Sequence, residues 1–372
     1  MEFEMLESVV RRFKTNGEVK SIVPFGGGHI NDTYKVDILV DGKTEQYILQ
    51  RLNTTVFPRT QILMNNAVKV TEYMRELLKV RGGDVERGTL HFYESEQGTL
   101  YYIDEEKNWW RFEDFVQGTV SHDLASSPEM FEATGYAFGS FMSDLADFPA
   151  AELGEVIENF HNTRVRFQTF NKEVAADKSG RLDTCREEVA FAMARKDLTE
   201  SIVTKLEDGS IPLRVTHNDT KINNILMDAV TDKPVCIIDL DTIMPGAACY
   251  DFGDSIRFGA SSAVEDETDL SKVYMKLELF EAYARGFMKA MGKALNLEEA
   301  RSLALGSMVI TFENGIRFLG DYLNGDVYFK TKYPEHNLVR ARTQFKLVAD
   351  MEQKLPEMYK IVEKYYYMAQ EA

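Results

Sequence analysis

The stretch Val215-Thr216-His217-Asn218-Asp219-Thr220-Lys221-Ile222-Asn223-Asn224-Ile225-Leu226 leads, after a turn near residues 232–234, to Val235-Cys236-Ile237-Ile238-Asp239. Two strand-like runs thus flank a polar loop with the order H-x-D-x-K-x-x-N, and an Ile-Ile-Asp run ends 15 residues after the Asn. A lone H-x-D occurs by chance, whereas this complete order is far more specific. The alternative, that these residues only cap turns, does not explain why they occur in this order.

Phosphoryl transfer needs this set of side chains. An Asp accepts or orients the proton of the acceptor hydroxyl, and an Asn and a second Asp bind the metal ions that bridge the phosphates. These roles fall on Asp219 as the catalytic residue and on Asn224 and Asp239 as metal ligands. Lys221, also assigned as catalytic, is placed to neutralise the transferring group, and His217 holds the loop in shape.

The residues Asp251-Phe252-Gly253 spell a kinase metal motif, but their spacing argues against that role. Asp251 lies 32 residues past Asp219, whereas Asp239 lies 20 past it, at the end of a hydrophobic strand. We therefore expect Asp251 to cap a helix or to support the catalytic loop by hydrogen bonds.

Hydrophobic periodicity predicts an α+β protein. Up to residue 115 the pattern indicates about six strands and one helix, with Asp41-Gly42 as a two-residue hairpin turn. After Gly118 the pattern is mainly helical, and Ser127-Pro128 begins the first of these helices. We expect a small β-rich N-lobe over residues 1–114, which binds the nucleotide, and a larger, mostly helical C-lobe over residues 115–372.

The composition excludes several classes of protein. The 372 residues carry a formal charge of −17, which disfavours attachment to nucleic acid or to an anionic membrane. No apolar run reaches the length of a membrane span, the first residues lack a signal-peptide pattern, and the three cysteines form no metal or disulfide pattern. We expect a cytoplasmic protein with no obligatory protein partner.

The chain resembles a known protein family in the His217–Asn224 loop and in several further segments, which together span residues 27 to 329. These segments are Gly27–Tyr34, Ile238–Gly246, Tyr250–Arg257, Gly315–Leu319 and Asp321–Phe329. In them the chain resembles the aminoglycoside phosphotransferase/choline kinase superfamily and, within it, the N-acetylhexosamine 1-kinases. The resemblance implies a bilobal protein-kinase-like fold, the use of ATP and Mg²⁺, and phosphorylation of the anomeric (C1) hydroxyl of a sugar such as GlcNAc or GalNAc. Two alternatives stay open: a phosphotransferase for an aminoglycoside, choline or homoserine, and a catalytically silent protein that binds a nucleotide or a sugar.

The nucleotide side is assigned to the N-lobe. Gly26, Gly27 and Gly28 lie between two strand-like runs, where glycine lets the main chain approach phosphates. The third strand offers Gln50 or Arg51 where many relatives have a Lys, and strand alternation allows only one of them to face ATP. The segment that contains Glu113 and Phe115 joins the lobes, and in this fold such a segment offers main-chain groups to adenine.

The acceptor side is assigned to the C-lobe. The resemblance implies that Arg317 and Tyr328 contact the sugar, and without it Arg317 reads as an ordinary solvated Arg. Asp321 either binds a hydroxyl or pairs with Arg317. Thr220 is a lesser candidate, and His29 faces either the phosphates or the sugar.

Overall fold

The computed structural model describes residues 2–27 and 30–372. Its α-helices are α1 (Glu2–Val10), α2 (Thr60–Arg81), α3 (Val85–Gly88), α4 (Pro128–Asp144), α5 (Thr163–Ala176), α6 (Arg186–Met193), α7 (Val203–Glu207), α8 (Ala248–Gly259), α9 (Leu277–Met291), α10 (Leu297–Asn324) and α11 (His336–Glu371). Its strands are β1 (Glu18–Pro24), β2 (Asp32–Val40), β3 (Lys43–Leu52), β4 (Tyr102–Ile103), β5 (Trp109–Asp114), β6 (Thr119–Val120), β7 (Arg214–Thr216), β8 (Ile225–Asp228), β9 (Pro234–Ile237) and β10 (Met244–Gly246).

The chain forms two compact units. The first comprises Met1–Val120, Ala151–Glu158 and Leu226–Met244, and the second comprises Ser121–Ala150, Asn159–Ile225 and Pro245–Ala372. No helix in the described ranges is both long and apolar enough to span a membrane.

The first unit is built on a five-stranded antiparallel sheet with the order β1-β2-β3-β5-β4. The predicted hairpin is confirmed, because Val40 pairs with Lys43 and the two residues between them, Asp41 and Gly42, have φ angles of 49° and 81°. A two-residue hairpin turn whose backbone matches the twist of its strands requires a positive φ at both positions. This turn fixes the register of β3, and with it the face on which each β3 side chain lies.

Helix α1 is a feature that the sequence analysis did not predict. Leu6, Val9, Val10 and Phe13 recur at helical spacing and are buried against the sheet in one apolar cluster with residues of β2 and β5. The acidic residues between them hid this periodicity. The first unit therefore has α1 and the short α3 in addition to the one helix expected, which is α2.

The second unit is mainly helical. Its first helix begins as predicted, with Pro128 at the first position and the Ser127 hydroxyl accepting a hydrogen bond from the main-chain nitrogen of Met130. Helices α8 and α10 cross closely at Gly253, where an added Cβ would lie 2.6 Å from the main-chain oxygen of Gly306. Gly253 is thus required by helix packing, which explains the glycine of the Asp-Phe-Gly sequence without a metal.

Candidate active site

The loop between β7 and β8 brings Asp219, Lys221 and Asn224 together. Asn224 Nδ2 donates hydrogen bonds to the main-chain oxygen of Asp219 at 2.8 Å and to its Oδ2 atom at 3.1 Å. Lys221 Nζ lies 2.7 Å from Asp219 Oδ1, so each carboxylate oxygen has a partner. The loop turns at Asn218, whose φ of 65° is a left-handed conformation that asparagine tolerates better than most residues. Three of the residues assigned from the motif therefore form one cluster.

Lys221 carries its positive charge in this cluster. Burial disfavours the ammonium form, but the attraction of the Asp219 carboxylate outweighs it and raises the pKa of Lys221 above its ordinary value. The side chains of Lys221 and Asp219 are 36% and 27% exposed, so a ligand can reach the pair. A fixed positive charge beside Asp219 suits the stabilisation of a transferring phosphoryl group.

His217 and Asp251 support the loop from within the second unit. The ring of His217 is fully buried against Phe138, with the ring centroids 5.6 Å apart, and its Nδ1 accepts a hydrogen bond from the main-chain nitrogen of Asp219 at 3.3 Å. The carboxylate of Asp251 accepts hydrogen bonds from the main-chain nitrogens of His217 at 2.8 Å and Asn218 at 2.7 Å. Of the two roles expected for Asp251, the structure shows the support of the loop.

Thr220 also braces this loop. Its hydroxyl donates a hydrogen bond to the main-chain oxygen of Asp251 at 2.6 Å, and its own main-chain oxygen accepts one from Ser255 Oγ at 2.7 Å. The residue is buried. A hydrogen bond from this hydroxyl to a substrate would have to replace the bond to Asp251.

Gly26 and Gly27 follow the end of β1. The φ of Gly26 is 77°, in the left-handed region that glycine adopts without strain. An added Cβ at either residue would meet no atom of the described residues within 4 Å, so that part of the structure leaves the main chain here open to a ligand. Gly28 and His29, the other residues predicted for this turn, lie outside the described residues.

Gln50 and Arg51 point to opposite faces of the sheet. Gln50 Nε2 donates to Thr33 Oγ1 at 2.9 Å, and Gln50 Oε1 accepts a hydrogen bond from Nε of Arg111 on β5 at 2.7 Å. Arg51 forms an exposed ion pair with Asp32, at 2.8 Å from its Nε atom. Arg51 therefore already has an anionic partner, whereas Gln50 belongs to a buried polar cluster.

Arg111 is the centre of that cluster and was missed by the sequence analysis. Its side chain is almost fully buried, donates to Asp241 and Gln50, and lies 3.5 Å from Glu113 Oε2. Asn31 Nδ2 donates to the second oxygen of Asp241 at 2.6 Å. Burial lowers the pKa of Arg111, but the attraction of Asp241 and Glu113 outweighs it and leaves the pKa raised. The available signal was the alternation in β5, which puts positions 111 and 113 on one face.

Glu113 is a buried acid whose Oε2 atom has no hydrogen-bond partner among the described residues. Burial, opposed by Arg111 and reinforced by the charges of Asp241 and Asp239, raises its pKa to about 7. Its main chain pairs with Ile48 inside the sheet. Phe115 follows the end of β5, where its ring contacts Phe25 at 5.5 Å and lies 4.6 Å from the ammonium of Lys35.

Asp239 follows β9 and has φ and ψ of 59°, a left-handed conformation that is uncommon for a residue with a side chain. Across residues 2–27 and 30–372, no group of three or more His, Cys, Asp or Glu side chains is arranged to hold a metal. The donor chemistry of the predicted ligands still fits Mg²⁺, which prefers oxygen. Asp239 offers a carboxylate, and the amide nitrogen of Asn224 is committed to Asp219, which leaves the amide oxygen for a cation.

Arg317 and Tyr328 meet in the second unit. The guanidinium carbon of Arg317 lies 5.8 Å from the ring centroid of Tyr328, 5.5 Å from that of Phe329 and 5.8 Å from that of Phe160. Tyr328 is 63% exposed, so its ring is accessible to a ligand. The two residues that the resemblance assigned to the sugar are thus neighbours.

Asp321 supports a turn and is not paired with Arg317. Its Oδ1 atom accepts hydrogen bonds from the main-chain nitrogens of Val327 and Tyr328, both at 2.9 Å. Its Oδ2 atom accepts hydrogen bonds from the main-chain nitrogen of Phe329 and from Nδ2 of Asn337, also at 2.9 Å. The carboxylate is buried and forms no ion pair with Arg317 in the structure. It anchors the turn that carries Tyr328.

One unit of the chain has an antiparallel sheet and a glycine turn, and the other is helical and has an Asp-Lys-Asn loop. Kinases that phosphorylate small molecules are built in this way. Residues 21–285 match the phosphotransferase enzyme family. The chain belongs to this family.

Solved structures confirm the predicted fold class, the protein-kinase-like fold of the aminoglycoside phosphotransferases and choline kinases. An aminoglycoside phosphotransferase from Alicyclobacillus acidocaldarius is 14% identical over 96% of each chain, with a TM-score of 0.59. A choline kinase from Cryptosporidium parvum is 10% identical over 98% of this chain and 99% of its own, with a TM-score of 0.60. An ethanolamine kinase from Plasmodium vivax is 15% identical over 91% and 85%, with a TM-score of 0.53. At these identities the likeness establishes the fold.

Proposed function

We propose that the protein is a kinase that transfers the γ-phosphoryl group of ATP to the C1 hydroxyl of an N-acetylhexosamine, GlcNAc or GalNAc. The observation that carries this proposal is the cluster in which Lys221 and Asn224 each hold one oxygen of Asp219. Membership of a phosphotransferase family supports the reaction type, and the Arg317–Tyr328 neighbourhood supports a sugar.

Asp219 orients the acceptor hydroxyl and takes its proton as the oxygen–phosphorus bond forms and ADP leaves. Lys221 stabilises the negative charge on the transferring group. Asn224 and Asp239 each carry a side-chain oxygen of the kind that Mg²⁺ prefers and are the residues that would hold it, and the bound ion would neutralise phosphate charge. Asn224 also fixes the carboxylate of Asp219, so the base is oriented before the acceptor arrives.

On the nucleotide side, the open main chain of Gly26 and Gly27 approaches the phosphates, and the segment at Phe115 approaches the adenine. Arg51 is paired with Asp32, so Gln50 is the better candidate on β3. We place the reaction in the cytoplasm, which supplies ATP and keeps the three buried cysteines reduced.

A cationic acceptor such as choline or an aminoglycoside is the main rival. The positive charge of Arg317, which is surrounded by aromatic rings, disfavours such a molecule on electrostatic grounds. A catalytically silent binding protein is the other rival, and the preserved arrangement of Asp219, Lys221 and Asn224 argues against it.

The test is Mg²⁺-dependent ADP release measured across GlcNAc, GalNAc, choline, homoserine and an aminoglycoside. We expect release with the two N-acetylhexosamines, and about a 10³-fold lower kcat in Asp219→Asn with nearly unchanged ATP affinity by calorimetry. Asp183→Asn, at an exposed position, is the matched control. ADP release with the cationic acceptors alone, or full activity in Asp219→Asn, would refute the proposal.

A further inference from the structure

We propose that Arg166 and Arg317 form an anion-binding subsite, which takes the carboxylate or phosphate-monoester group of a hydroxylated small molecule. The inference rests on the proposed function in one respect, because Arg317 and Tyr328 are also the residues proposed to contact the sugar. Its basis is that these two guanidinium groups of the second unit have no carboxylate partner among the described residues.

Ion pairing is the rule for the arginines of this acidic chain. At least 17 of the 20 arginines form an ion pair with an Asp or Glu among the residues that the structure describes. Arg166 and Arg317 have no carboxylate partner among the residues described, although the chain has 60 acidic residues against 43 basic ones. Two unpaired guanidinium groups that share one neighbourhood are therefore an exception that calls for a ligand.

The two acids best placed to pair with Arg317 do not form an ion pair with it. Glu313 and Asp321 lie one helical turn before and after it on α10, the spacing at which an acid and an arginine normally meet. Glu313 Oε1 is hydrogen-bonded to Nδ1 of His161 at 2.9 Å, and its buried Oε2 atom has no hydrogen-bond partner among the described residues. Asp321 accepts the four hydrogen bonds of its turn. Arg317 is thus left with its hydrogen-bond donors unsatisfied by either acid.

The two guanidinium groups meet at one aromatic ring. The guanidinium carbons of Arg166 and Arg317 each lie 5.8 Å from the ring centroid of Phe160. Nε of Arg166 donates to the main-chain oxygen of Phe160 at 3.0 Å, which fixes its orientation. Burial, and next the positive charge of Arg317, lower the pKa of Arg166, so the like charges repel each other. The charges of Glu313 and Glu173 oppose this shift but do not reverse it. An anion between them would relieve that repulsion.

The surroundings suit a small polar molecule with a ring. Guanidinium groups bind carboxylate and phosphate through paired hydrogen bonds, and Arg166 and Arg317 offer two such planar forks. The exposed ring of Tyr328 beside Arg317 offers an apolar face to the rest of the ligand.

The experiment is isothermal titration calorimetry of the intact protein with GlcNAc, GlcNAc 6-phosphate and glucuronate as probes. We expect at least one of the two anionic sugars to bind at least tenfold more tightly than GlcNAc, and the two probes distinguish phosphate from carboxylate. This preference should weaken as the salt concentration rises, which tests the subsite in the unaltered chain. Equal affinity for all three probes, or a salt-independent preference, would overturn the inference.

Variants localise the effect. Arg166→Gln and Arg317→Gln should each abolish the preference for the anionic probe, whereas Arg164→Gln, on the same helix but paired with Glu200 and Glu207, should keep it. Persistence of the preference in both of the first two variants would also overturn the inference. If the protein phosphorylates GlcNAc but shows no preference for the anionic probes, the subsite is refuted and the proposed function is not. Failure of the subsite is therefore distinguishable from failure of the proposed function.

Discussion

Lys221 Nζ lies 2.7 Å from Oδ1 of Asp219, so the ammonium group already contacts the carboxylate that is proposed to receive the acceptor proton. The same lysine is proposed to stabilise the transferring group. Its raised pKa means that it stays charged at neutral pH. Lys221→Gln should therefore lower kcat by about 100-fold, because charge stabilisation in the transition state is lost.

The measurement is steady-state ADP release with saturating ATP, with Lys272→Gln as the control at an exposed lysine of the same unit. Loss of ATP affinity with unchanged kcat would show that Lys221 acts in ground-state binding instead.

Arg111 and Arg51 should differ sharply in their contribution to stability. Arg111→Met would leave the carboxylates of Asp241 and Glu113 buried without their cation, at a cost of about 3 kcal/mol in the free energy of unfolding. Arg51→Met breaks an exposed pair with Asp32 and should cost less than about 1 kcal/mol. Thermal unfolding of both variants checks this difference, and equal losses would contradict the buried cluster.

Glu113 should make stability depend on pH. Its folded-state pKa of about 7 exceeds the ordinary value of 4.5, so the folded protein holds this proton more tightly than the unfolded chain. The stabilisation is complete below pH 4.5 and is lost as the pH rises to about 7. Wild-type stability should fall across this window by roughly 2 to 3 kcal/mol relative to Glu113→Gln.

Thermal unfolding in the presence of a chelator, at intervals from pH 4.5 to 8, measures this difference. Glu105→Gln, at an exposed position, should follow the wild type throughout. Parallel curves for the wild type and Glu113→Gln would mean that Glu113 ionises normally in the folded protein.

Asp321 should act on Tyr328 through the turn between them. Asp321→Asn leaves one oxygen where two accepted four hydrogen bonds, and the lost bonds should cost about 2 kcal/mol. Because the turn carries Tyr328, the KM for the sugar should rise by several-fold while kcat changes little. Asp183→Asn is again the exposed control. A fall in kcat alone would place Asp321 in the chemical step.

Local signals predicted much of the fold. The Asp41-Gly42 hairpin and the start of α4 at Ser127 follow from turn and capping chemistry that involves only adjacent residues. The cluster around Asp219 was also predictable, because Lys221 and Asn224 lie within five residues of it. The helix α1 was not recognised, since its apolar residues alternate with acids.

Contacts between distant residues could not be read from the sequence. Arg111 and Asp241 are separated by 130 positions, and their pairing depends on how β5 and the segment after β9 are folded. The unpaired state of Arg317 is equally hidden, because it depends on His161 holding Glu313 and on a turn that occupies Asp321. A sequence pattern shows which acids lie close to an arginine along the chain, but not which residue each acid contacts in the folded protein.

The central claim is phosphoryl transfer from ATP to the anomeric hydroxyl of an N-acetylhexosamine. Phosphorus NMR of the product, formed from ATP, Mg²⁺ and GlcNAc or GalNAc, tests it most directly. We predict a phosphate signal coupled to the C1 proton of the sugar, formed by the wild type and absent with Asp219→Asn. A 6-phosphate, or no sugar phosphate at all from an enzyme that phosphorylates another acceptor, would contradict the claim.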